Sequence, residues 1–403
     1  ISTDGKTILD EVLISCMRKP NSFTGEDVVE INCHGNPIIL EAILAQLQKM
    51  GCRLARPGEF SKRAFLNNRL DLSQAEALAA VISAKSAKAY AMGLTQLKGS
   101  LRQEINDLRL ILINALAGIE AAIDFTEDLS EEKMPETPLQ INQALERMQA
   151  LLSSYQSTRA YTEGIRVVIT GKPNVGKSSL LNKLTGRKKA IVTDIPGTTR
   201  DLITDTIIID GAPIHLMDTA GIREPQNVIE QEGISLVWET LADADVVIFM
   251  LDVSNPMENE DKIIINKIKS GKIIAAVNKI DLPRSWETDA IANLFPQDTK
   301  IMEISAKSGA GLEELKNAIL NLSVCGDSEK NNGAMIINLR HKLAIEKACV
   351  NIQAAKESIA RGISSEFAAF DLREALDNLD KITGKKINDE VLDKIFASFC
   401  IGK

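Results

Sequence analysis

The junction at residues 165–178 narrows the possible folds of this chain more than any other stretch. Six residues rich in β-branched side chains, Ile165-Arg166-Val167-Val168-Ile169-Thr170, run directly into Gly171-Lys172-Pro173-Asn174-Val175-Gly176-Lys177-Ser178. The pattern predicts a strand, a tight turn and a helix start, the context in which G-x-x-x-x-G-K-[ST] cradles phosphate. The glycines let backbone N–H groups curl round an anion, and the helix start adds the positive end of its dipole. Asn174, Val175, Gly176, Lys177, Ser178 and Ser179 are expected to line a nucleotide's phosphates. Lys177 would neutralise β/γ-phosphate charge and Ser178 would hold Mg²⁺.

Downstream, short β-branched runs at 244–251 and 273–277 alternate with helical stretches. That alternation predicts a mostly parallel sheet with helices on both faces, from about 164 to 323. Residues 202–209 and 213–217, joined by Asp210-Gly211, read as an antiparallel hairpin at its edge.

Three further strings fall at the ends of these strands. Asp218-Thr219-Ala220-Gly221 follows the hairpin; its Asp can reach Mg²⁺ through water and the Gly221 N–H can meet the γ-phosphate. Asn278-Lys279-Ile280-Asp281 follows the run at 273–277. A carboxylate there accepts both N1–H and the N2 amine of guanine, a pair that adenine does not offer. Ser305-Ala306-Lys307 completes the base pocket. In this order, at the carboxyl ends of strands, the strings predict GTP rather than ATP.

Thr193-Asp194-Ile195-Pro196-Gly197-Thr198-Thr199 lies between phosphate loop and hairpin and is expected to line GTP, with Thr199 completing the Mg²⁺ shell. Ile222 follows D-x-x-G, and its side chain cannot orient water. Glu230 is the candidate for that role; the competing reading of Glu230 is a solvated helix residue. No arginine finger is identifiable in the sequence. A monovalent cation held by Asn174 and the 193–198 loop could supply the charge.

The flanks read differently. Residues 1–70 mix short apolar runs and turns, including a strand at 28–32 and an amphipathic helix at 37–50, and form a small α+β domain in this reading. From Ser73, placed with Glu76 in a capping box, an Ala/Leu-rich helical stretch runs to about 125, and another helix runs to about 161. Helices return from about 337. The expected architecture is therefore an N-terminal α+β domain (1–70), an all-α domain in two parts (71–163 and 324–403), and the α/β domain (164–323) inserted between them. The formal net charge of −8 leaves nucleic acid only a local patch or a partner. Six cysteines without a CxxC pair fit reduced thiols in a cytoplasmic protein. No apolar run reaches membrane-spanning length. The chain opens on Ile1 in mid-pattern, from which we expect the natural N-terminus to lie upstream.

Four strings together resemble one family. They are Asn21-Ser22-Phe23-Thr24-Gly25-Glu26-Asp27; Arg56-Pro57-Gly58-Glu59-Phe60-Ser61 continuing through Arg63-Ala64-Phe65-Leu66-Asn67 to Asp71-Leu72-Ser73-Gln74-Ala75-Glu76-Ala77; Gly197-Thr198-Thr199-Arg200-Asp201; and Phe399-Cys400-Ile401-Gly402-Lys403. Across nearly the whole chain the sequence resembles the bacterial and organellar tRNA modification GTPases MnmE, also called TrmE. The resemblance implies an N-terminal domain that dimerises and binds a tetrahydrofolate one-carbon donor, 5-formyl or 5,10-methylene, through Glu30, Arg69 and Lys403. It implies K⁺ at Asn174, Thr193, Ile195 and Thr198, with G domains approaching across a homodimer, and Glu230 at the catalytic glutamate. It also implies a heterotetramer with the flavoprotein MnmG that installs an aminomethyl-type group on carbon 5 of the tRNA wobble uridine. The competing function is a ribosome-assembly or RNA-binding GTPase without modification chemistry; no KH-like appendage is visible to serve it.

Overall fold

The computed structural model describes residues 8–124, 136–186, 205–218, 241–324 and 333–399, apart from 242–243, 259–260, 263, 266–267, 269–271, 288–290 and 292–293. The chain divides into two compact units. One comprises residues 1–83, 93–152 and 331–403; the other comprises 84–92 and 153–330. The second interrupts the sequence of the first twice, by a short stretch at 84–92 and by the long insertion 153–330.

The first unit begins with an antiparallel pair, β1 (Leu13–Met17) and β2 (Val28–Asn32), with Ser15 opposite Glu30. Helix α1 (Pro37–Lys49) follows, with Pro at its start and Asn36 capping Ile38 N–H. Helix α2 (Glu59–Leu66) starts after Gly58, where a Cβ would come within 2.4 Å of the Phe396 carbonyl oxygen. The long helical run is three helices, α3 (Leu72–Ser83), α4 (Ala87–Leu97) and α5 (Ser100–Asp124), and the helix expected to end near 161 is α6 (Glu136–Thr162). Gly99, with φ +96°, separates the last two, a conformation that costs glycine little. Helices α9 (Leu339–Ala360) and α10 (Ser365–Thr383) pack on each other, and α10 packs on α5 and α3. Helices from both sides of the insertion thus share one core, with Leu101, Ile105, Leu108, Leu112, Leu372 and Leu379 all fully buried. Helix α11 (Asp389–Ala397) closes a smaller cluster through Leu392 and Phe396 against Leu72 and Ala75.

The expected capping box is displaced. Asp71, not Ser73, caps α3: its Oδ1 accepts from Gln74 N–H (2.8 Å) while Gln74 Oε1 accepts from Asp71 N–H (3.1 Å). Glu76 is committed elsewhere. It is buried against Arg340 (2.7 Å) and the fully buried His341 (2.6 Å).

The second unit holds a six-stranded sheet in the order β4-β5-β3-β6-β7-β8. These are β3 (Ile165–Thr170), β4 (Asp205–Ile209), β5 (Ala212–Asp218), β6 (Val246–Asp252), β7 (Lys272–Asn278) and β8 (Lys300–Glu303). Only β4 runs antiparallel, joined to β5 by Asp210 and Gly211, both at positive φ as a two-residue hairpin turn demands. Alternate residues feed two cores. Val167, Ile169, Ile248 and Ile274 face one, with α7 (Lys177–Thr185) and α8 (Leu312–Ser323); Val168, Val247, Phe249 and Val277 face the other. Burial on both faces explains why these strands read as unbroken apolar runs. Among the described residues, no helix is long and apolar enough to cross a membrane.

Burial opposes the charge on Glu76, but His341 and Arg340 outweigh it and hold its carboxyl down at about 2 against an ordinary 4.5. Its stabilisation is therefore complete above pH about 4.5 and lost as the pH falls towards about 2. Glu76→Gln should cost about 3–5 kcal/mol, because it breaks a buried ion pair and leaves Arg340 without its carboxylate. Urea unfolding followed by circular dichroism should show that loss at pH 7, with a flattened dependence on pH in the acid limb.

Candidate nucleotide site

The site is assembled at the carboxyl ends of β3, β5, β7 and β8, the edge where open parallel sheets place their ligands. The loop 171–176 leaves β3 and ends at Gly176, which starts α7 with φ +106°. Its two glycines are required sterically. A Cβ on Gly171 would lie 2.5 Å from the Met250 carbonyl oxygen, and one on Gly176 would lie 2.3 Å from Asn278 Nδ2. Asn174 also has positive φ (64°), and its side chain is exposed. Val175 is buried, anchoring the loop in the core. Lys177 is buried, and its ammonium donates to the carbonyls of Gly171 and Lys172, each at 2.7 Å. Ser178 and Ser179 are exposed on the first turn of α7.

Asp218 ends β5 in register with Ile169, one residue before β3 itself ends. Its strand position places it beside the root of the phosphate loop. Thr219, Ala220, Gly221, Glu230, Lys403 and the whole segment Thr193, Asp194, Ile195, Pro196, Gly197, Thr198 and Thr199 lie outside the described residues.

Asn278 ends β7 and is 2% exposed. Its Nδ2 donates to the Val175 carbonyl (2.7 Å), and its Oδ1 accepts from Ala306 N–H (2.9 Å). One side chain thus joins the phosphate loop to the 305–307 loop. Lys279 adopts φ 68°, and Asp281 Oδ1 accepts from Ser305 Oγ at 2.7 Å. That hydrogen bond holds the Asp281 carboxyl below the usual carboxylate range, so it stays ionised and able to accept from a purine's N–H groups. Ser305 and Ala306 are buried, and Lys307 is exposed.

Two anchors escaped the sequence reading. Asp252, at the end of β6, binds the Lys279 ammonium at 2.5 Å and also accepts from Ser254 and Asn255. Burial works against its charge, but Lys279 and Ser254 prevail and its pKa is lowered. Asp261, 2% exposed, binds the Lys172 ammonium at 2.8 Å and so ties down the phosphate loop from outside. Asp252 carries the same signal as Asp218, an acid at the end of an apolar strand, and could have been found by it.

A family model described as the MnmE helical domain matches residues 72–400, and one described as the GTP-binding protein TrmE N-terminus matches residues 1–69. The chain belongs to the MnmE family of tRNA modification GTPases. It is 45% identical to the tRNA modification GTPase MnmE of Syntrophus aciditrophicus over 396 residues, 98% of this chain and 86% of that protein. It is 46% identical to MnmE of Carboxydothermus hydrogenoformans over 404 residues, 99% of this chain and 87% of that one. As a member of the MnmE family, the chain is a GTP hydrolase. The two residues of the described region that the MnmE resemblance ties to folate are both exposed: Glu30 on β2, and Arg69 in the turn after α2, packed near Gly25.

Gly176→Ala should abolish guanine-nucleotide binding by calorimetry, since the added methyl displaces Asn278. Asp252→Ala should weaken binding by about tenfold, the scale of one lost charge-assisted hydrogen bond. Thermal melting should confirm that the second variant remains folded.

Proposed function

We propose that this chain hydrolyses GTP to drive modification of the wobble uridine of certain tRNAs. The observation that carries the reading is the convergence on Asn278: one buried amide holds together the loops that would grip phosphate and base. The names of its relatives support the tRNA substrate.

In the proposed cycle, the N–H groups of residues 174–179 and the Lys177 ammonium hold the β- and γ-phosphates. Asp281 reads guanine, with Asn278, Lys279, Ser305, Ala306 and Lys307 shaping its pocket. The Gly221 N–H meets the γ-phosphate, so that Asp218-Thr219-Ala220-Gly221 and the 193–199 loop report its loss. Glu230 orients the attacking water. Ser178, exposed beside the end of β5, would hold Mg²⁺ with Thr199; the ion would neutralise charge between the β- and γ-phosphates. Asn174, exposed at the loop's tip, would hold K⁺ with Thr193, Ile195 and Thr198; the ion would supply the charge of an arginine finger as two G domains meet across a homodimer. The exposed pair Glu30 and Arg69, with Lys403, would bind a tetrahydrofolate derivative as the one-carbon donor, Arg69 suiting its anionic tail. A flavoprotein partner, MnmG, would supply redox chemistry in a heterotetramer.

Asp281→Asn should exchange preference for guanine nucleotides for xanthine nucleotides, read by competition binding. GTP turnover should be faster in K⁺ than in Na⁺, and Asn174→Ala should remove the difference. Cells lacking the protein should lose the carbon-5 group on wobble uridine by nucleoside mass spectrometry; unchanged nucleosides would overturn the reading.

A further inference from the structure

The helical unit contains a cavity of about 290 Å³ that nucleotide chemistry does not use. It lies where the turn after α2, the first turns of α5 and the end of α10 meet. In this measure one water needs ~10–15 Å³, so the space is that of an organic group rather than of one or two ordered waters. Phe65 supplies an aromatic wall. Asn68, exposed at φ 58° just past the end of α2, presents an amide on the pocket's rim. Asp71 contributes a buried carboxylate oxygen with no hydrogen-bond donor; the nearest cation, Arg102, stands 3.7 Å away. Lys385, exposed on the rim, donates to Asn106 at 3.2 Å. Gly384 lets the walls close, since a Cβ there would lie 2.7 Å from the Phe65 ring.

We propose that this cavity receives one extruded nucleotide of the RNA substrate. The proposal rests on the tRNA reading above and names the part of the chain that takes the acceptor base. RNA loops are recognised by unstacking a base, covering its face with an aromatic ring and pairing its edge with amides or carboxylates. Phe65, Asn68 and Asp71 are that set. Arg102 and Lys385 provide the local positive charge that a chain of net charge −8 needs to hold a phosphate. The position also suits group transfer. Asn68 and Leu70, both lining the cavity, flank Arg69, which is proposed for the one-carbon donor. The proposed donor residue and the pocket thus share the turn after α2.

The test uses the full chain and an anticodon stem-loop RNA, with 4-thiouridine at the wobble position for photo-crosslinking. Cross-links should map to residues 65–71, 102–106 or 383–385. Asn68→Gly, which removes the amide and tolerates the left-handed backbone, should weaken stem-loop binding about tenfold and leave binding of a blunt RNA duplex unchanged. Lys385→Ala should weaken both and reduce the salt slope of log K by about one. GTP turnover and melting temperature should not change in either variant. Cross-links elsewhere, or both variants binding like the parent, would overturn the pocket and leave the tRNA reading intact. Loss of folate binding instead of RNA binding would overturn it too. If the parent chain bound no stem-loop and cellular wobble nucleosides were unchanged, the tRNA reading itself would fall, and the pocket with it.

Discussion

Asn278 takes part in two hydrogen bonds that no other side chain could make from the end of β7. Its amide donates to Val175 and accepts from Ala306, so three loops from separate strands share one fixed point. Because the group is buried, losing either bond would strand a polar atom in the core, a far larger cost than the bond's net worth in water. The same residue sets the limit on Gly176, which has to lack a side chain for the amide to reach its partner. The phosphate loop and the base loop are therefore not independent modules that happen to be neighbours.

The segment after β6 reinforces this from outside. Asp252 draws in Lys279, and Asp261 draws in Lys172, so acids at the two ends of one ten-residue stretch each hold a basic residue of a nucleotide loop. Trp286 donates to the carbonyls of Asp252 and Asn255 and keeps that stretch against the sheet. Charge-assisted bonds shielded from water suit this task, since salt screens them weakly.

Much of this was legible in the sequence, for identifiable reasons. Strands β3, β6 and β7 are buried on both faces, so their apolar runs, interrupted only by Arg166, ended sharply, and the phosphate loop and Asn278-Lys279-Ile280-Asp281 sat at two of those ends. The Asp210-Gly211 hairpin followed from turn chemistry alone. What failed was local ambiguity resolved by distant residues. Asp71/Gln74 and Ser73/Glu76 are overlapping capping boxes two residues apart, and the choice fell to Asp71 while Glu76 is engaged by Arg340 and His341, more than 260 residues along the chain. The break at Gly99 was hidden because the apolar spacing on either side keeps helical phase. The role of Asp261 depends on which elements the fold brings beside the phosphate loop, and that placement is not written in any local pattern.

Lys177 shows what such a framework means for binding. Its ammonium is already engaged by the carbonyls of Gly171 and Lys172. An ammonium carries three N–H groups, and two of them are spent on the loop itself. The positive charge is therefore fixed in place by the same backbone that curls round the phosphates. A triphosphate meets a cation already aimed, and the loop need not give up rotamer freedom of a long side chain when it binds.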